Sequence, residues 1–381
     1  IGAGGRVITC RAAIAWTTNA PLTIEKVEVD PPKAGEVRIK IISSGICDTN
    51  KHILEGKDKV PFPAIWGHEG AGTVESIGEG VTRDKVLMFP LPECRECSSC
   101  LHPKSNFCLK ERLVSISLTF FHPIYGTSRF TCRGRKIYHL YGTSTFTEYT
   151  VVHEIAVGKI DDDAPMDTVC ILSCEVPTGF GAVFNIAKVR MFTPGSTCVV
   201  FGLGGIGSAV VMACKASGAS RIIGVDIKEE KFPRARTLGV TDCLNPQKLK
   251  KPVQEVVVEM TGKGADFAFE AIGLIDTMVA TLESCHPSYG VGVIIGLAPT
   301  NSQLIFDPML LLSGRTLKGG ALGNYKTRSC IPKMVTDYLQ KKINLDPLIT
   351  HTLPFESINK AFELLQGGYC IKIHLSFILE K

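Results

Sequence analysis

Apolar and polar residues alternate over short stretches in the first 160 residues, with Gly and Pro clusters between them. Glu36-Val-Arg-Ile-Lys-Ile-Ile and Thr73-Val-Glu-Ser-Ile have the period of two expected of half-buried strands. This part of the chain reads as a β-rich unit. After about Cys174 the pattern changes. Thr197-Cys-Val-Val-Phe is a continuous apolar run, followed by a Gly-rich turn and a helical stretch over 208–217. A second apolar run, Arg221-Ile-Ile-Gly-Val, ends in Asp226, and further runs lie at 265–270 and 290–296 with helix-like segments between. Alternation of this kind predicts a parallel, doubly wound sheet. From about Leu322 a helix over 331–340 leads to a strand-like tail at 371–377. The expected α/β architecture is a β-rich domain, an inserted nucleotide-binding domain and a return to the first, over 1–177, 178–321 and 322–381.

The turn after the first apolar run, Gly202-Leu-Gly-Gly-Ile-Gly207, fits G-x-G-x-x-G. Such a match is weak alone, because Gly-rich turns are common. Here a strand precedes it, a helix follows, and the next strand ends in an acid 19 residues after Gly207. Gly202 permits a tight turn, Gly204 lets the backbone approach a pyrophosphate, and Gly207 allows close helix–sheet packing. Gly205 and Ile206 belong to the same turn, whose helix N-terminus offers unpaired N–H groups to an anion. Asp226 is placed to accept from the adenosine ribose hydroxyls and to repel a 2′-phosphate, which favours NAD over NADP. Lys231 is either a solvated lysine or a contact to the same ribose.

Composition changes this picture at one residue type. Of 381 residues, 45% are hydrophobic and 21% charged, which excludes disorder and collagen-like repetition. The net charge of +5 is spread along the chain and makes no case for nucleic acid. No window approaches 18 consecutive apolar residues, so no membrane partner is expected. Fifteen cysteines, an odd number at uneven spacings, argue against a disulfide framework and for a reduced, cytoplasmic protein. The cysteines therefore call for burial or metal.

Cys94-x-x-Cys97-x-x-Cys100-x7-Cys108 puts four thiols in one short loop, flanked by Pro and charge. Four soft thiolates at this density suit a closed tetrahedral zinc site without an open position for chemistry. An iron–sulfur cluster uses the same ligand set, and four unligated buried thiols are the third reading. Cys47, His68 with Glu69, and Cys174 are scattered, and no spacing rule unites them. Cys170, four residues before Cys174 in an apolar run, reads as core.

Gly45-Ile-Cys-Asp-Thr, Gly67-His-Glu-Gly-Ala-Gly, the four-cysteine loop and the dinucleotide turn occur in the order found in zinc-dependent medium-chain alcohol dehydrogenases, which the chain resembles over almost its whole length. Thr127-Ser-Arg-Phe-Thr-Cys and Gly142-Thr-Ser-Thr-Phe resemble the vertebrate multi-class group. Phe269-Glu-Ala-Ile-Gly and Leu345-Asp-Pro-Leu-Ile-Thr-His-Thr-Leu are most similar to its class V branch. The resemblance implies a GroES-like catalytic domain, a Rossmann coenzyme domain and an active site in the cleft between them. It implies two Zn2+ per chain, one held by Cys47, His68 and Cys174 with a fourth position open, the other by the four-cysteine loop. The implied activity is hydride transfer from a primary or bulky apolar alcohol to NAD, or the reverse with an aldehyde, the catalytic zinc lowering the alcohol's pKa. Thr49 matches the hydroxyl that accepts the alcohol proton, His52 the outer relay residue, and Glu69 the carboxylate behind the zinc. Leu140, Tyr141 and Leu297 fall at pocket positions, Leu297 also at the cofactor, and Lys372 falls where a basic residue touches the pyrophosphate. A homodimer joined near 310–318 is implied, and Met309-Leu-Leu-Leu reads as its buried seam or as intradomain core.

Several positions depart from the family pattern. Asn50 stands where an acid usually orients the zinc-binding histidine, and Asp48 where basic or neutral residues face the pyrophosphate. Glu175-Val-Pro-Thr replaces small and apolar residues, and Pro177 disfavours helix at Val176. Thr82-Arg-Asp-Lys-Val lacks a Lys-Pro-Gly turn, Arg190-Met-Phe is an insertion, and 109–125 is unusually apolar for a loop. These departures predict weak turnover, or else a non-catalytic zinc-stabilised NAD-binding protein. A zinc-ribbon nucleic-acid module rests only on the four-cysteine loop and the small positive charge.

Overall fold

The computed structural model describes residues 5–56, 60–77, 84–112, 128–189, 195–368 and 370–378. Residues 82–83, the 190–192 insertion and the 113–125 part of the apolar stretch lie outside them. The chain divides into two compact units, Ile1–Cys174 with Tyr325–Lys381, and Glu175–Asn324.

The first unit is built from strands whose alternation puts one face on a core. Ile8–Ala15 and Thr23–Val29 pair antiparallel and close a barrel with Phe130–Cys132, Arg135–His139 and Ala64–Ile65. Trp66, Phe130, Phe146 and Phe355 are fully buried in it, each worth about 2–3 kcal/mol of apolar burial. In the second sheet, Glu36–Ile46 is the hub. It pairs antiparallel with Glu69–Ile77, with Tyr149–His153 and with the return strand Lys372–Ser376. The return strand sets His374 opposite Gly45, so the C-terminal segment is a structural part of this unit.

The second unit is a six-stranded parallel sheet, in spatial order Asp242–Leu244, Arg221–Val225, Thr197–Phe201, Phe267–Glu270, Val291–Ile294 and Thr316–Gly319. In chain order this is 3-2-1-4-5-6, the doubly wound topology. The inner strands read as unbroken apolar runs because helices cover both faces. Strand order reverses between Thr197–Phe201 and Phe267–Glu270, and the crevice beyond their carboxyl ends is the place for a ligand. The fold class is thus a GroES-like domain plus a Rossmann domain, as the motifs implied.

Three local expectations change. The dinucleotide helix is Gly205–Ala216 and begins before residue 208, because the glycines of its first turn carry no hydrophobic period. A helix, Glu175–Gly181, runs through Pro177 and contains Val176. Pro177 is its third residue, where the missing N–H has no acceptor four residues back to lose. The run Met309–Leu312 is a short surface helix with Leu312 76% exposed, so it is not core of this chain. All fifteen cysteines are free thiols. Among the described residues no single helix is long and apolar enough to cross a membrane.

Candidate functional site

Three chain segments meet at the end of the hub strand. Cys47 follows Glu36–Ile46 and is the N-cap of the helix Asp48–Leu54. His68 immediately precedes Glu69–Ile77, the neighbouring strand, and Cys174 follows the 3-10 turn Cys170–Ser173. Ligand atoms of Cys47, His68, Glu69 and Cys174 all lie within 4.8 Å of one another. His68 is 1% exposed, and the ring of Tyr141 meets it edge-on, centroids 5.4 Å apart. The hydrogen bond with Cys174 holds the Cys47 thiol well below its usual range, aided by His68 and Lys372. Two cysteines and an imidazole, with Cys47 and His68 buried and Cys174 partly so, are a donor set that fits zinc.

Behind this cluster Glu69 is fully buried and ion-paired with the fully buried Lys372. A Cβ on Gly45 would overlap the Glu69 carboxylate, so only glycine fits there. Lys372, expected at a pyrophosphate, is therefore engaged inside the first unit. Asn50 is fully buried, and among the described residues neither its Oδ1 nor its Nδ2 has a hydrogen-bond partner; nor does Nδ1 of His68. Thr49 Oγ1 lies 3.6 Å from Cys47 Sγ, and His52 follows one helical turn later on the same face. Asp48 is exposed in the first turn of that helix. Leu140 is 1% exposed in the barrel core rather than at an open surface.

The four-cysteine loop forms a second cluster, with Cys94, Cys97, Cys100 and Cys108 grouped by the same distance criterion. Sγ of Cys94 and Cys100 are 3.8 Å apart, the edge of a tetrahedron with zinc–sulfur bonds of about 2.3 Å. Burial pushes the Cys97 thiol up, but N–H donors of Cys100 and Leu109 outweigh it and hold the group down to about 6. The return segment secures the loop. Lys326 Nζ donates to the carbonyls of Ser99, Cys100 and His102, and Glu93 accepts from the N–H and hydroxyl of Ser329.

In the second unit, Gly202 has φ +92°, which a side chain would strain, and a Cβ on Gly207 would overlap the Gly202 carbonyl. Gly204 faces open space. Ile206 lies in the first turn of the helix, with its carbonyl against Gly179. Asp226, 7% exposed, accepts from Leu203 N–H and Lys231 Nζ on one oxygen and from Lys228 N–H on the other, each at 2.9 Å. This carboxylate is anchored by the motif's own backbone. Leu297 follows Val291–Ile294 and is 41% exposed. The sequence reading missed Glu270, the fully buried acid ending the fourth strand. Its Oε1 accepts from Ile272 N–H, Gly273 N–H and Thr277 Oγ1, and burial raises its pKa. A lone acid closing the apolar run Phe267-Ala-Phe was the available signal.

Residues 33–162 match the family model of the alcohol dehydrogenase GroES-like domain, and 205–340 that of the zinc-binding dehydrogenase. An alcohol dehydrogenase zinc-binding domain protein from Burkholderia ambifaria is 29% identical, with TM-score 0.86 over 97% of this chain and 99% of that one. Benzyl alcohol dehydrogenase from Acinetobacter calcoaceticus is 28% identical, with TM-score 0.84 over 97% and 100%. An alcohol dehydrogenase from Thermus sp. ATN1, at 22% identity and TM-score 0.77 over 97% and 100%, bears on the fold alone.

Proposed function

Because the chain belongs to the zinc-dependent medium-chain alcohol dehydrogenase family, a family of oxidoreductases, we propose that it transfers hydride between a primary or bulky apolar alcohol, or the aldehyde, and NAD. The observation that carries this reading is the convergence of Cys47, His68 and Cys174 within 4.8 Å. Two zinc ions per chain complete it, one held by these three residues and one by Cys94, Cys97, Cys100 and Cys108. Zinc at the first set supplies a Lewis acid that lowers the pKa of an alcohol hydroxyl, and NAD supplies the hydride acceptor.

The chain's own residues do the rest. Thr49 Oγ1 receives the alcohol proton, and His52 on the same helix face passes it towards solvent. Glu69 acts behind the metal ligands as an oriented carboxylate, with Lys372 balancing its charge. Tyr141 forms an apolar wall beside His68. Asp226 receives the ribose hydroxyls, with Lys231 beside it, and Gly202, Gly204, Gly205, Ile206 and Gly207 shape the pyrophosphate turn. Leu297 is assigned a further cofactor contact on the family pattern. The exposed apolar side chains Ile305, Met309, Leu311 and Leu312 support a homodimer joined near the sheet edge Thr316–Gly319. Free thiols throughout suit a cytoplasmic location. The class V assignment rests on the two segments named for it, while the Burkholderia and Acinetobacter proteins named above are bacterial.

Cys47→Ser is expected to abolish NAD-dependent alcohol oxidation; unchanged turnover would overturn the mechanism. The orphaned Asn50 amide favours one second reading, a zinc-stabilised NAD-binding protein with little or no turnover. Two zinc per chain with NADH formed from an alcohol panel supports the enzyme, and one zinc with none formed supports the binding protein.

A further inference from the structure

The fourth strand of the parallel sheet ends in an acid that no role above uses. Glu270 closes Phe267–Glu270, beside the point where strand order reverses, and is fully buried. Its Oε1 accepts from the N–H groups of Ile272 and Gly273, at 3.0 and 2.8 Å, and from Thr277 Oγ1 at 2.8 Å. These donors belong to the turn 271–274 and to the first turn of the helix Ile275–Glu283, whose N-cap Leu274 supplies no side-chain cap. Glu270 takes the place of that cap and gathers turn and helix start onto one atom. Oε1 accepts these bonds whether the group is ionised or not. Oε2 has no hydrogen-bond partner among the described residues.

The gathered turn stands between two segments that border the crevice. On one side Ala271 N–H donates to the Phe201 carbonyl, and a Cβ on Gly202 would stand 2.7 Å from Ile272 Cγ1. On the other, Gly273 has φ +90°, and a Cβ there would stand 2.2 Å from the Leu297 carbonyl oxygen. The backbone carbonyl of Glu270 accepts from Ile295 and Gly296 N–H, both at 3.0 Å. Gly296 leaves the room that the acid fills, since a Cβ there would lie 2.4 Å from Oε2. Segments packed this closely transmit a shift of one to its neighbours. The side chains of Ile272, Leu274 and Leu297 are exposed along this rim.

We propose that Glu270 is a positioning residue for the dinucleotide, its Oε1 holding the turn 271–274 as the wall between the turn at Gly202 and Leu297. The inference rests on the dinucleotide reading of Gly202–Gly207. The reach of the acceptor matters here, and its charge does not. Drawing the acceptor away from these N–H groups leaves the turn to be ordered by the ligand, which lowers affinity by about tenfold or more.

The experiment titrates NADH into the wild-type protein, Glu270→Asp and Glu270→Gln, with unfolding temperatures measured alongside. Glu270→Asp keeps the carboxyl and withdraws it by one methylene. Glu270→Gln keeps the reach and the acceptor and alters only the Oε2 position, where no hydrogen bond is lost. Glu270→Asp is expected to bind NADH about tenfold or more weakly, and Glu270→Gln within about threefold of wild type. Any other pattern between the two folded variants, with wild type binding NADH, overturns the inference and leaves the dinucleotide reading standing. A lowered unfolding temperature with unchanged affinity in Glu270→Asp is one such pattern and makes Glu270 a structural cap alone. Should Glu270→Asp fail to fold, Thr277→Val, which removes one of the three donors, replaces it. About threefold weaker binding is then expected, and unchanged binding overturns the inference. No NADH binding by wild type overturns the dinucleotide reading and the inference with it.

Discussion

At the scale of single residues, the stakes concentrate on buried charge. Lys372 and Glu69 are each fully buried and paired with one another, on strands that meet only through the hub strand. Lys372→Met leaves a carboxylate with no counter-charge and is expected to cost about 3–5 kcal/mol by denaturant titration. Adding Glu69→Gln should recover part of that loss. His139 offers a pH test. It is buried against Phe130, rings 4.6 Å apart, and burial lowers its pKa from 6.5 to about 3. The neutral form is thus favoured in the fold, so the stability it contributes is present above pH 6.5 and is lost as pH falls towards 3. Relative to His139→Phe, wild type should lose up to about 1.4 kcal/mol per pH unit through that window. A flat difference between the two would dismiss the assignment. Neither feature was legible in the sequence, where Lys372 and Glu69 stand 303 positions apart.

Elements bring a different logic, that of close approach. The helix Glu175–Gly181 continues in π-helical form over Ala182–Ala187, and Gly181 lies directly against Gly323. A Cβ at Gly181 meets backbone rather than a flexible side chain, so Gly181→Ala is expected to cost about 1–3 kcal/mol as an overpacking change. Thermal unfolding within a degree of wild type would show that the contact relaxes. The four-cysteine loop is the opposite case, an element with little core of its own. Lys326 ties three of its carbonyls, so Lys326→Met should hasten zinc loss to a chelator, followed with a metal indicator dye, without changing its stoichiometry. The loop's four thiols were legible because they fall within fifteen residues of one another. The clamp was not, since its lysine comes from a segment more than 200 residues later.

On the scale of the whole molecule, the strand Thr316–Gly319 is an edge without a further strand among the described residues, and the apolar side chains of Ile305, Met309, Leu311 and Leu312 stay exposed on this chain. An edge of that kind invites another chain. Leu312→Asp is expected to shift the protein from dimer to monomer by light scattering after size exclusion; a monomeric wild type would dismiss the homodimer. The order of strands and helices followed from hydrophobic periodicity, because period two, period 3.6 and unbroken apolar runs each reflect how many faces an element buries. The dinucleotide turn and the four-thiol loop were legible for a related reason: their chemistry is carried by neighbours in the chain. Tertiary structure alone brought Cys47, His68 and Cys174 together, locked Lys372 onto Glu69, left Asn50 without a hydrogen-bond partner among the described residues and set Glu175 against Gly205. Those contacts join residues far apart in the chain, and only strand pairing and helix packing decide which distant side chains share a volume.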